Sequence, residues 1–115
     1  MRIAYVCADA GIPVFGWKGS SLHVQEFIRA LVKRGDCVEL FATRVEGERP
    51  ADLERVGVHP LPALPTNGRA VREQAALAAN ADLRAALERE APFDLVYERY
   101  SLRSEERRVG KECRL

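Results

Sequence analysis

RIAYVCADAGIPVFGWKGSSLHVQEFIRALVKR, residues Arg2 to Arg34, reads as a buried strand, a glycine-punctuated loop and an amphipathic helix in succession. Ile3, Ala4, Tyr5, Val6 and Cys7 form a continuous apolar run without polar alternation, the pattern of a strand covered by helices on both faces of a parallel sheet. Such a strand belongs in the middle of its sheet. Gly11, Pro13, Gly16 and Gly19 punctuate the loop, where missing side chains let the backbone lie close against a ligand. Ser20 or Ser21 is expected to cap the helix. Leu22, Val24, Phe27, Ile28, Leu31 and Val32 mark its apolar stripe, Gln25, Glu26, Arg29, Lys33 and Arg34 fall mostly on the wet side, and Gly35 is expected to end it. A helix N-terminus after a glycine-rich loop, at the carboxyl end of a central strand, offers free N–H donors and a positive dipole end to a phosphate.

Working outward, Cys37 to Ala42 reads as a second strand reached through the short turn Arg34-Gly35-Asp36, which closes a right-handed βαβ crossover. Thr43 to Pro50 is polar and turn-rich, and Ala51 to Arg55 has room for one helical turn. Val56 to Pro60 reads as a short third strand, stopped by the prolines of Leu61 to Pro65, which remove ladder donors. Asn67 and Gly68 make a turn before a long helix from Arg69 to Glu90, whose apolar face is Val71, Ala75, Leu77 or Ala78, Leu83, Ala86 and Leu87. Ala91-Pro92 ends it. Phe93 to Tyr97 is a fourth strand that runs out at Glu98-Arg99-Tyr100, the carboxyl edge at which open α/β sheets bind ligands. The expected fold class is α/β: a partial doubly wound parallel sheet, Rossmann-like, of about four strands in the order 3-2-1-4.

The chain has 115 residues, 47% hydrophobic and 30% charged, which suits one α/β domain or a piece of one. A formal net charge of +1, with both signs interspersed, gives no case for a nucleic-acid surface. Cys7, Cys37 and Cys113 have no C-x-x-C spacing and no partner at zinc-ligand distance in sequence, so Cys7 and Cys37 are read as small buried hydrophobes within strands. No run approaches the roughly 20 apolar residues that span a bilayer. The first strand starts almost at once, so no signal peptide is expected and the expected compartment is the cytoplasm.

Three chemistries use a glycine-rich loop after the first strand. A P-loop places its lysine directly after the second glycine, whereas Trp17 separates Gly16 from Lys18 and no hydroxyl follows the lysine. A dinucleotide fold needs G-x-G-x-x-G in a tight turn, which Gly11, Gly16 and Gly19 do not provide; Glu39 is the nearest candidate for a ribose-binding acid. The third is a nucleotide-sugar transferase, in which a longer, flexible glycine loop covers the cleft between two domains.

The run GIPVFGWKGSSLHVQEFIRALVKRGDCVELFATR, together with FDLVYERYSL, resembles the N-terminal domain of family 4 retaining glycosyltransferases of the GT-B fold, over nearly all of Met1 to Leu102. In that family a strand leads to a K-G-[GAS]-S-x-H-V-like loop and helix, then to an R-A-L-x-x-x-G-[HD]-x-V junction. The resemblance implies that Gly16, Lys18, Gly19 and Ser20 form the loop that approaches the donor diphosphate and the acceptor; many relatives have Gly-Gly where this chain has Gly19-Ser20. His23 matches a histidine one turn into the helix and is either a ligand contact or a polar residue packed beneath the loop. Lys18 is either a diphosphate contact or a solvated lysine. Glu98, Arg99 and Tyr100 sit where such enzymes place acceptor-binding side chains, or else Glu98 and Arg99 make a surface pair. Trp17 is either a lid aromatic that stacks on a sugar or a loop anchor. No catalytic residue, metal or cofactor is implied, the nucleotide-diphosphate sugar being the donor substrate; basic groups and loop dipoles stabilise the leaving diphosphate. The implied partners are the acceptor, the C-terminal GT-B domain that holds most of the donor, and, for the complete enzyme, a peripheral membrane contact. Without that domain the chain is expected to be a truncated fragment lacking transferase activity of its own.

Residues 103–115 break the pattern, with a charged run where a further helix should begin. They resemble the conceptual translation of a sequencing adapter, or else form an ordinary solvated tail. Two other functions stay open: a Rossmann-type oxidoreductase using a nucleotide cofactor, and a non-catalytic α/β binding module, for which only Asp9 stands near the end of the first strand.

Overall fold

Strand β1 (Arg2–Cys7) is flanked on one side by β2 (Cys37–Ala42) and on the other by β4 (Leu95–Glu98), with β3 (Gly57–Pro60) outside β2. The structure, a computed structural model, describes residues 1–62, 69–99 and 113–114. All four of these strands run parallel, in the order 3-2-1-4 expected for the Rossmann-like half sheet. β1 pairs with β2 from Arg2 opposite Cys37 to Cys7 opposite Ala42, and with β4 from Ile3 opposite Leu95 to Val6 opposite Glu98. The central strand is therefore the one with the unbroken apolar run.

A fifth strand, β5 (Cys113–Arg114), pairs antiparallel with β4, Val96 opposite Arg114 and Tyr97 opposite Cys113. The charged composition of residues 103–115 gave no reason to expect it. The outer edge of β4 presents unpaired backbone groups, and a ladder can form there whatever the side chains are. The rest of that run, the turn at Asn67 and Gly68, and Tyr100 lie outside the described residues.

Two helices sandwich the sheet. Helix α1 (Gly19–Lys33) buries Val24 and Ile28, with Phe27, Leu31 and Val32 alongside, against Tyr5, Cys7, Val38, Leu40 and Ala42. Tyr97 joins Tyr5 and Phe27 in an aromatic group with ring centroids 4.7 to 5.4 Å apart. The helix ends as expected at Gly35, whose φ of +96° is open to glycine at little cost. The Gly35 N–H donates to Val32 O (3.0 Å) and the Asp36 N–H to Leu31 O (3.1 Å), the paired bonds of a Schellman motif. Leu22, expected on the apolar stripe, is exposed, a correction, because the buried line of α1 runs through Ser21, Val24, Gln25 and Ile28 and Leu22 falls about 100° round from Ser21.

Helix α2 (Arg69–Glu90) covers the opposite face. Leu83 and Ala86, with Leu87 beside them, meet Ala4, Val6, Phe41, Phe93 and Val96. Of the rest of its expected face, Leu77 is 71% exposed and Ala78 is exposed too, while the side chains of Val71 and Ala75 lie outside the described residues. Leucine burial stabilises by about 1.5–3 kcal/mol per side chain, and fastenings of other kinds add to it. Arg2 supplies one: its guanidinium lies 4.5 Å from the Phe93 ring centroid and donates to the carbonyls of Glu90 and Pro92.

Cys7 is buried as expected, but Cys37, at the first position of β2, is exposed. Strand ends lie outside the helix cover, so membership of a strand did not make Cys37 a core residue. Burial pushes both the Cys7 thiol and the Tyr5 hydroxyl above their ordinary values of 9.0 and 10.0. Folding thus holds the Tyr5 proton more tightly than the unfolded chain does. The stability linked to it is complete below pH 10 and is lost as pH rises beyond, by up to about 1.4 kcal/mol per pH unit. In urea titrations the midpoint is expected to fall steeply above pH 10, and Tyr5→Phe is expected to remove that part of the fall while leaving the part due to Cys7.

Candidate functional site

The segment between β1 and α1 is built as a strap. Asp9 starts it: its Oδ1 accepts the Gly11 N–H at 2.7 Å and its carbonyl accepts the Ile12 N–H at 3.1 Å, a local turn of the kind aspartate favours. A second turn closes where the Gly16 N–H donates to Pro13 O at 2.8 Å. Between them Val14 and Phe15 donate to the carbonyls of Arg44 and Glu46, at 3.0 and 3.2 Å, and Phe15 forms a β-bridge with Gly47. Ile12, Val14 and Phe15 are buried in the α1-side core. From the helix, the Gln25 side-chain amide donates to Val14 O (2.7 Å) and Gly16 O (3.2 Å).

Two expectations are corrected here. Gln25, placed on the wet side, is only 6% exposed, because the strap crosses the start of α1 and its inward carbonyls need donors. The loop, expected to be flexible, is tied to the β2–β3 connection and to α1 by backbone and side-chain bonds.

At the end of the strap the chain is extended at Lys18 (φ −63°, ψ 156°) and enters α1 at Gly19. Lys18 is therefore the N-cap, and no side chain caps the helix. The expected cap from Ser20 or Ser21 does not form, because starting at Gly19 puts both serines inside the first turn. Ser21 is fully buried, and its hydroxyl has no hydrogen-bond partner among the described residues. The first-turn N–H groups of α1 thus keep their donor capacity at the carboxyl edge. Lys18 reaches back across them, Nζ donating to Gly11 O at 3.2 Å. A Cβ on Gly16 would lie 3.0 Å from Pro13, whereas one on Gly19 would meet nothing within 4 Å. Trp17 is 89% exposed and anchors nothing among the described residues, which removes the anchor alternative.

The other half of the site comes from β4. Arg99 follows its last residue, the Arg99 N–H donating to Val6 O at 2.9 Å. Its guanidinium donates from Nη1 to His23 Nδ1 at 2.9 Å, joining residues 76 positions apart in the chain. An arginine only donates, so His23 Nδ1 is the acceptor and the neutral ring carries its proton on Nε2. The same guanidinium lies against the buried Tyr5 hydroxyl and near Cys7, while its Nε is buried with no hydrogen-bond partner among the described residues.

Glu98 parts from its neighbour. Strand alternation turns it to the α2 side with Val6 and Val96, where it is 4% exposed, while Arg99 faces α1. Glu98 is therefore a buried residue and not part of a surface pair. Gly16, Lys18, Gly19, Ser20, His23 and Arg99 come together around the first turn of α1. No family model, no curated protein and no solved structure matches the chain.

Chemically, this edge gathers a helix N-terminus, one lysine and one arginine, with His23 held at the border in a set orientation. Such a group attracts an anion with several acceptor oxygens, a phosphate above all. Sequence reading missed Gln25 and the Glu98–Arg99 divergence, although a signal for each existed. Gln25 lies at helical spacing from Ser21 and Ile28, and strand period sets Glu98 and Arg99 on opposite faces.

Proposed function

We propose that the chain is the acceptor-side, Rossmann-like portion of a retaining glycosyltransferase, which moves a sugar from a nucleotide-diphosphate donor to an acceptor in the cytoplasm. The observation that carries this reading is the Arg99–His23 contact at 2.9 Å. It joins the two stretches whose resemblance to family 4 glycosyltransferases suggested the function, the KGSSLHV segment and the end of β4. In this reading the α1 N-terminus and Lys18 lie beside the diphosphate, and Arg99 balances the charge that develops as it leaves. Lys18 now bonds a single neutral carbonyl, a weaker partner than a phosphate oxygen. With Nδ1 taken by Arg99, His23 keeps Nε2–H as a donor for the acceptor substrate.

The test is a titration of the 15N-labelled chain with UDP, GDP and ADP and their sugar esters. The amides of Lys18 to His23 are expected to shift with a nucleotide diphosphate, and the protein encoded by the complete reading frame to release that diphosphate from a nucleotide sugar. Preferential binding of a reduced nicotinamide cofactor would instead favour an oxidoreductase, and failure of the folded protein from the complete reading frame to consume any common nucleotide sugar would remove the reading.

Gly19→Ala separates binding from folding. A Cβ there meets nothing within 4 Å, and alanine in a first helical turn stabilises by up to about 0.5–1 kcal/mol relative to glycine. The thermal midpoint is expected to hold or rise slightly. The same methyl group stands where a diphosphate would approach the backbone, so nucleotide affinity is expected to fall about tenfold, roughly 1.4 kcal/mol.

A further inference from the structure

We propose that Glu39, His59 and Glu90 bind one divalent transition-metal ion, zinc by preference, and that the ion clasps the end of α2 to β2 and β3. The three residues come from three elements and converge on the α2 face of the sheet, the face opposite α1. One ligand atom of each lies within 4.8 Å of the others. His59 Nε2 and Glu39 Oε1 are already 2.7 Å apart, and all three side chains are partly open to solvent, so an ion can reach them.

The surroundings set this group apart from an ordinary ion pair. Glu39 stands on the helix-facing side of β2 and its carboxylate lies over Gly57; a Cβ on that glycine would come within 2.2 Å of Glu39 Oε1. The glycine leaves the space the carboxylate occupies. The His59 ring is stacked on Phe41, centroids 4.6 Å apart, which fixes the direction of Nε2. Glu90 brings a second carboxylate to a place where one histidine already satisfies the first. Among the described residues Arg2 stands 3.9 Å from the Glu90 carboxylate and spends its Nη1 on backbone carbonyls.

Two carboxylates and one imidazole suit a borderline ion such as zinc, with ligand bonds of about 2.0–2.2 Å and a fourth position for water. Small side-chain rotations bring the three atoms to that range. The ion takes the place of the proton held between His59 Nε2 and Glu39, and that proton passes to Nδ1 or to solvent. Such a clasp adds to the apolar contacts that Leu83, Ala86 and Leu87 make with the sheet.

The experiment is calorimetric titration of the untagged chain with zinc chloride, with Cys37→Ser and Cys113→Ser introduced so that thiolates do not compete, and with magnesium chloride as the control. One zinc per chain is expected, and no magnesium. With free zinc at 100 times its dissociation constant, the folded-to-unfolded ratio rises about 100-fold and the melting temperature with it. His59→Ala and Glu90→Gln are each expected to weaken zinc binding at least tenfold. Glu90→Gln also keeps the backbone carbonyl that Arg2 uses, so its zinc-free melting temperature should match the parent's, which separates lost binding from lost folding. Absence of zinc binding, or binding that survives either substitution unchanged, would overturn the proposal.

Discussion

Gly47→Ala is expected to destabilise the protein by about 3 kcal/mol or more and to release the strap from the β2–β3 connection. Gly47 has φ +114°, where a residue with a side chain is strained by about 1–3 kcal/mol. A Cβ there would also lie 2.0 Å from Phe15 O and 2.8 Å from the Gly16 N–H nitrogen, both of them backbone atoms that no rotamer change can move aside. Relief requires the strap to lift. That loses the bonds from Val14 and Phe15 to Arg44 and Glu46, each worth roughly 0.5–1.5 kcal/mol net, and exposes Ile12, Val14 and Phe15. Urea unfolding measures the loss, and hydrogen exchange localises it: the amides of Val14 and Phe15 should lose protection while those of β1 keep theirs. A variant with parental stability and a protected strap would show that Gly47 does not hold the loop.

The importance of Gly47 illustrates what could and could not be read before the chain was folded. Gly35 was legible, because a helical stripe ends there and local geometry alone demands a left-handed residue. Gly47 has the same conformational need, but its partner Phe15 lies 32 positions away, and the contact arises only from how the loop crosses the sheet edge. The strands and their order were legible because β1 is apolar throughout and each connection is short. The helix start was misread because serine is a common cap; the extended turn at Lys18 places entry two or three residues earlier, which puts both serines inside the helix. Gln25 shows the limit of sorting by polarity: it lies on the buried stripe and pairs with carbonyls that no pattern within α1 announces. Glu39, His59 and Glu90 were less visible still, since strand register and the end of α2 bring them together and no spacing between them marks a ligand set.

Arg99→Ala is expected to reduce nucleotide-diphosphate affinity about tenfold to a hundredfold and to uncouple His23 from the sheet. A charge-assisted hydrogen bond contributes roughly 1.5–3 kcal/mol, which converts to that range. Arg99 is suited to this part because its backbone is locked to β1 through Val6 O while its guanidinium spans Tyr5 and His23. The charge is therefore held in place before a ligand arrives, so little ordering entropy is spent on binding. Arg99→Lys keeps the charge but not the planar fork that serves several acceptors at once. It is expected to recover only part of the affinity and to leave His23 free to reorient. Proton NMR of the His23 ring reads the second effect directly: the parent should show the Nε2–H tautomer, and both variants a mixture. Calorimetry with UDP reads the first. If both variants bound UDP as the parent does while the His23 tautomer changed, Arg99 would be a positioning residue for His23 alone, and the diphosphate would rest on Lys18 and the first turn of α1.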